Sequence, residues 1–126
     1  DSADLAAMAS AGTLGDVILH EMGHVLGLGT LWQARGLVSG LNYIGAAGVA
    51  AYGSVNGNNS LTSVPLESTG GSGTRGGHWS EATFDRELMT GYAESTSPMP
   101  ISIITVGGLA DLGYGVNYGA ANAFTL

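Results

Sequence analysis

Apolar side chains recur at three- and four-residue spacing through Leu14, Val17, Ile18, Met22 and Val25, with Leu26 beside them. That period predicts a helix over about 13–26. Thr13 followed by Asp16 resembles a capping box, with the Thr13 hydroxyl accepting an early backbone N–H and Asp16 at the positive end of the helix. Gly27 stands where a helix commonly stops in a left-handed turn. A second helical period runs over about 102–112 and ends at Gly113. Ala46 to Tyr52 reads as a short helix, followed by a turn-rich stretch from Gly53 to Ser60. Ser63 to Glu67 has strand character, and Pro65 confines it to an edge. Asp1 to Ala9 reads as a helical or loop piece, without the alternation of a strand. Leu28 to Asn42 is a connection carrying Trp32, and the tail from Tyr114 is irregular. The expectation is a mainly α fold with irregular loops and little sheet.

Composition narrows this picture. The 126 residues make one domain, or the larger part of one, with a single modest core. Hydrophobic residues reach 44 %, but 22 glycines and many alanines imply small side chains and loop-rich connections. No internal repeat is visible, and the apolar stretch from Ile44 to Ala51 is too short to span a bilayer. A net charge of −7 with only 3 basic residues argues against nucleic acid as a partner, because phosphate binding needs lysine and arginine. The acidity suits a soluble secreted protein. The absence of cysteine neither requires nor excludes export. The chain lacks an initiator methionine, which suggests a processed or trimmed piece.

The chemistry lies in His20-Glu21-Met22-Gly23-His24. Residues four apart share a helix face, so His20 and His24 present two imidazoles side by side, at the separation one zinc ion needs. Glu21 is displaced around the helix, where it can reach a water at an open coordination position and act as general base. A string this short also occurs by chance, as a helix with two surface histidines. Gly27 can be a plain helix stop, or the turn that sends the chain beneath a metal toward a distant third ligand. His78, after the glycine-rich stretch from Thr69 to Gly77, is the candidate for that ligand. Beside Trp79 it can equally be a surface histidine. A catalytic zinc usually takes three protein ligands, and this chain offers three histidines and no cysteine. The glycines do not form a phosphate loop, since no lysine follows them in the required position.

The string from His20 to Trp32 resembles the active-site helix of metzincin metallopeptidases, and within them it is most similar to the leishmanolysin-like branch. In that branch a long insertion separates the third histidine from the first two, and a methionine follows in a tight turn. His78-Trp79-Ser80-Glu81 and Glu87-Leu88-Met89-Thr90-Gly91 resemble those two segments, placing the third-ligand and Met-turn region at about 70–97. Ile103-Ile104-Thr105 and Ala110-Asp111-Leu112-Gly113-Tyr114 resemble the branch's C-terminal helix. The resemblance implies His20, His24 and His78 as ligands of one catalytic zinc, Glu21 as general base, and Met89 as a hydrophobic floor beneath the metal. Gly27 keeps its turning role. Tyr92, three positions after Met89, is not assigned to the metal. The interval from His24 to His78 is shorter than in protozoan members, so the 28–69 segment is not carried over. Those members are disulfide-rich, so the lack of cysteine points to bacterial-type relatives at the cell surface or secreted.

The resemblance also implies a lower, C-terminal catalytic subdomain plus the active-site helix, that is, one partial catalytic domain over residues 1–126. On this resemblance, the family's substrate-binding sheet is expected to lie outside these 126 residues. The helix side opposite the histidines, with Leu14, Ile18, Met22 and Val25, is then expected to need cover from a missing N-terminal subdomain or another copy. The leading function is a zinc metalloendopeptidase acting on protein or peptide. Two alternatives stay open: a thermolysin-like site with Glu67, Glu81, Glu87 or Glu94 as third ligand, and a non-catalytic zinc-stabilised module of a surface protein marked by a fourth protein ligand.

Overall fold

A computed structural model describes residues 2–126. Among them lie α1 (Ser2–Ala11), α2 (Leu14–Val25), β1 (Val38–Ser39), β2 (Asn42–Tyr43), α3 (Ala46–Asn56), β3 (Val64–Pro65), α4 (Glu81–Phe84), α5 (Ile103–Asp111) and a 3-10 turn (Tyr118–Ala120). The fold is mainly helical with irregular loops, and its three short strands form one antiparallel sheet in the order β1-β2-β3. β3 is an edge, as Pro65 requires. The N-terminal piece forms α1, with Asp1 outside the described residues.

Aromatic residues centre the core. Tyr43, on the central strand, pairs with Val38 on one side and Val64 on the other. Its ring stands edge-on to Trp32 and Trp79 at centroid distances of 5.0 and 5.1 Å, and the two tryptophans lie 4.6 Å apart. Such edge and offset arrangements suit the ring quadrupoles. Trp32, carried by the connection after α2, is thus a central core residue at 1 % exposure. Leu28, Val64, Phe84, Leu88, Met89 and Ile104 complete the cluster around it.

α3 and α5 make the closest helix pair. Gly107 of α5 allows this approach, because a Cβ there would sit 2.7 Å from the Ala47 carbonyl oxygen of α3. Asp111, at the end of α5, accepts the Ala47 and Gly48 N–H groups at 2.9 Å each and so caps the start of α3. It also accepts the Tyr43 hydroxyl at 2.8 Å. Burial, followed by this carboxylate, raises the Tyr43 pKa above the ordinary phenol range.

Two local expectations change. Thr13 does not cap α2: its backbone is already helical at φ −93° and ψ −9°, and its hydroxyl donates to the Met8 carbonyl of α1 at 3.4 Å. The link between the two helices is too short to leave that oxygen free. Asp16 lies in the first turn of α2, as expected, and its carboxylate also accepts Ser97 Oγ at 2.5 Å and Met99 N at 3.1 Å, tying α2 to the segment before α5. α3 continues to Asn56 through the stretch read as turns and stops at Gly57, in the left-handed region at φ 74°. Packing against α5 outweighs the weak helical preference of Gly53 and Ser54.

Candidate metal centre

α2 carries His20 and His24 one turn apart, and their Nε2 atoms lie 2.9 Å from each other. Helix ends and loops around them fix each ring from behind. His20 Nδ1–H donates to the Leu88 carbonyl at 2.7 Å. His24 Nδ1–H donates to the Leu28 carbonyl at 2.8 Å, which is possible because the chain reverses at Gly27. Gly27 adopts φ 110°, a conformation L side chains rarely take, and a Cβ there would press on Leu31 at 2.9 Å.

His78 arrives from a loop whose base is closed by Glu67. The Glu67 N–H donates to the His78 carbonyl at 3.0 Å, and its own carbonyl accepts Gly76 N–H at 2.9 Å. Its carboxylate accepts Ser68 N, Thr69 N, Thr69 Oγ1 and Glu81 N at 2.9, 2.8, 2.6 and 2.9 Å. The Thr69 hydroxyl, with these backbone donors, holds the Glu67 pKa down to about 2 against the opposing effect of burial. Within the loop, His78 Nδ1–H donates to the Thr74 carbonyl at 2.9 Å. Its Nε2 comes to 3.0 Å from that of His24 and 3.2 Å from that of His20.

A carbonyl oxygen only accepts, so in all three rings Nδ1 carries a proton, and the neutral form of each ring then presents its lone pair at Nε2. Three Nε2 atoms therefore converge on one point. Three ligands of a tetrahedral zinc at roughly 2.0–2.1 Å would stand about 3.3 Å apart. The donor set, its spacing and its outer partners therefore fit a divalent transition metal. Burial lowers the pKa of His20 and His78, which favours the neutral form a ligand needs.

Around this centre, Met89 is 1 % exposed and packs under Gly23, where a Cβ would be 2.7 Å from its Sδ. Glu21 is exposed beside the histidines and lines two clefts. One, of about 260 Å³, continues past His20 and His78 to Val17, Thr90, Tyr92 and Met99. The other, of about 400 Å³, continues past His24 to Gly29, Thr30 and Ser72. A larger cavity of about 530 Å³, near Phe84, Pro98 and Phe124, is lined by none of the histidines.

None of the alternative glutamates joins the histidines. Glu67 and Glu87 spend their carboxylates on local N–H and O–H donors, while Glu81 and Glu94 gather with Asp85. Among the described residues the histidine group has no fourth protein ligand. The carbonyls of Leu28, Thr74 and Leu88, which orient the rings, carry no side-chain signal and were not foreseeable from sequence. The side of α2 that was expected to need cover is open, with Ile18, Met22 and Val25 exposed and Leu14 half-buried. No helix among the described residues is long and apolar enough to cross a membrane.

Comparison with curated proteins and with solved structures returned no match. The leishmanolysin family matches over residues 2–125, which spans α1, the histidine-bearing helix, the His78 loop, the Met89 turn and α5. With that match over nearly its full length, the chain belongs to the leishmanolysin family of metallopeptidases.

Proposed function

We propose that residues 1–126 form one unit of the catalytic domain of a zinc metalloendopeptidase, with His20, His24 and His78 as ligands and Glu21 as general base. The observation that carries this reading is the convergence of three Nε2 atoms within 3.2 Å, each on a ring whose Nδ1–H is held by a backbone carbonyl. Neutral imidazoles with one position left open match a catalytic zinc better than a closed structural one. Zinc held there would supply Lewis-acid polarisation of a peptide carbonyl and make a nearby water easier to deprotonate.

The chain's own residues do the rest. Glu21, exposed and lining both clefts, takes the proton of the attacking water and delivers it to the leaving amine. A cleft on either side of Glu21 leaves room for peptide on both sides of the scissile bond. Met89 gives the ligands an apolar floor that contributes packing and no charge. The substrate is a protein or peptide met outside the cell or at its surface, the usual setting of leishmanolysin-like peptidases.

The test separates anchor from base. Glu21→Gln should leave about one zinc per chain while peptide hydrolysis falls on the order of 10² to 10⁴-fold. His24→Ala should lose zinc and hydrolysis together. Equal zinc loss in both variants would make Glu21 a ligand or a structural residue and overturn the assignment.

A further inference from the structure

Glu87 is 0 % exposed, and all four groups that hydrogen-bond to its carboxylate are neutral. Oε1 accepts Ser102 N at 3.0 Å, Ser102 Oγ at 2.7 Å and Thr105 Oγ1 at 2.6 Å, while Oε2 accepts Met89 N at 2.6 Å. The site is built for a carboxylate. A carboxylate is acceptor-only and has room for four donors, whereas an amide of the same shape would turn N–H groups toward donors.

What these bonds hold in place is the surround of two ligands. The Leu88 carbonyl, on the peptide adjoining Met89 N, is the acceptor for His20 Nδ1–H. The Met89 carbonyl accepts the N–H of Trp79, the residue after His78. Trp79 Nε1 donates to Thr105 Oγ1 at 2.8 Å, and the Thr105 proton goes on to Glu87. One carboxylate is thus linked to His20 through Leu88 and to the His78 backbone through Trp79. His24, oriented by Leu28, lies outside this network.

We propose that Glu87 is a positioning residue of the metal centre, aiming the Leu88 carbonyl at His20 and anchoring Trp79 so that the His20 and His78 rings converge. This rests on the zinc reading above. Glu87 touches neither metal nor substrate. It sets where two of the three nitrogens stand.

The experiment uses the full chain and two variants, with zinc affinity measured by chelator competition and ligand geometry by the visible absorption of the cobalt(II) form. Glu87→Gln should weaken zinc binding about 10–100-fold, the usual cost of losing an outer partner, and should shift the cobalt bands. Thr105→Val keeps the carboxylate but cuts the link to Trp79, and should give a smaller loss in the same direction. Asp111→Asn disturbs a carboxylate with a comparable set of donors far along α5, and should lower thermal stability with zinc affinity and cobalt spectrum unchanged. If Glu87→Gln fails to fold, Thr105→Val carries the test. Parent-like affinity and spectrum in the folded Glu87 or Thr105 variant would overturn the positioning role alone. A parent chain that takes up no zinc would overturn the zinc reading and this inference with it.

Discussion

Buried carboxylates organise the residues behind the histidines. Glu67 shows the effect in a form that pH can test. Its folded pKa of about 2 lies below the usual carboxylate value of 4.5, so the ionised form is the one the fold prefers. The contribution is therefore fully present above about pH 4.5 and is lost as pH falls through about 2. Glu67→Gln should cost on the order of 2 kcal/mol near neutral pH, the scale of hydrogen bonds to a charged group. The gap between parent and variant in urea unfolding should close as pH is lowered across that window. A gap that stayed constant down to pH 2.5 would mean that shape alone matters at this position. None of this was legible in the sequence, where Glu67 was one of four glutamates weighed as a ligand. The three histidines were legible because an i, i+4 pair fixes two of them on any helix and composition left only one further histidine. Their carbonyl partners were not, because a backbone acceptor has no residue type to announce it.

At the scale of elements, long periodic segments were readable and short ones were not. α2 and α5 coincide with stretches whose apolar period follows helical geometry. The β1–β2 hairpin escaped notice because two-residue strands carry no alternation to detect. α3 was read too short because Gly53 and Ser54 look like turn residues until α5 lies against the helix. That packing yields its own prediction. Gly107→Ala would drive a methyl into the Ala47 carbonyl, and α3 and α5 would have to separate. The expected cost is about 1–3 kcal/mol, typical of overpacking, and is measurable by denaturant unfolding. No loss of stability would show that the two helices are free to slide. Because the carbonyls that orient the three rings belong to Leu28, Thr74 and Leu88, outside the α3–α5 contact, zinc affinity should change little.

For the whole molecule, the decisive contact is one between distant parts of the chain. His24 and His78 are 54 residues apart, and the loop that brings His78 back is rich in glycine and exposed backbone, with little apolar burial of its own. Segments of that kind open most easily. A metal bound to the native arrangement and not to the unfolded chain stabilises the fold by mass action, by about 4 kcal/mol at a thousand times its dissociation constant. For a chain of this size that corresponds to a rise in Tm of about 10–20 °C. Calorimetry of the chelator-treated chain, repeated with zinc added back, should show this shift. Hydrogen exchange should show where it arises: amides of residues 68–78 and of the last turn of α2 should gain the most protection with zinc, while α3 and α5 change least. The same Tm with and without excess zinc would mean that the three histidines do not hold the ion in the folded state. A uniform gain of protection throughout the chain would mean that the His78 loop does not open separately from the core.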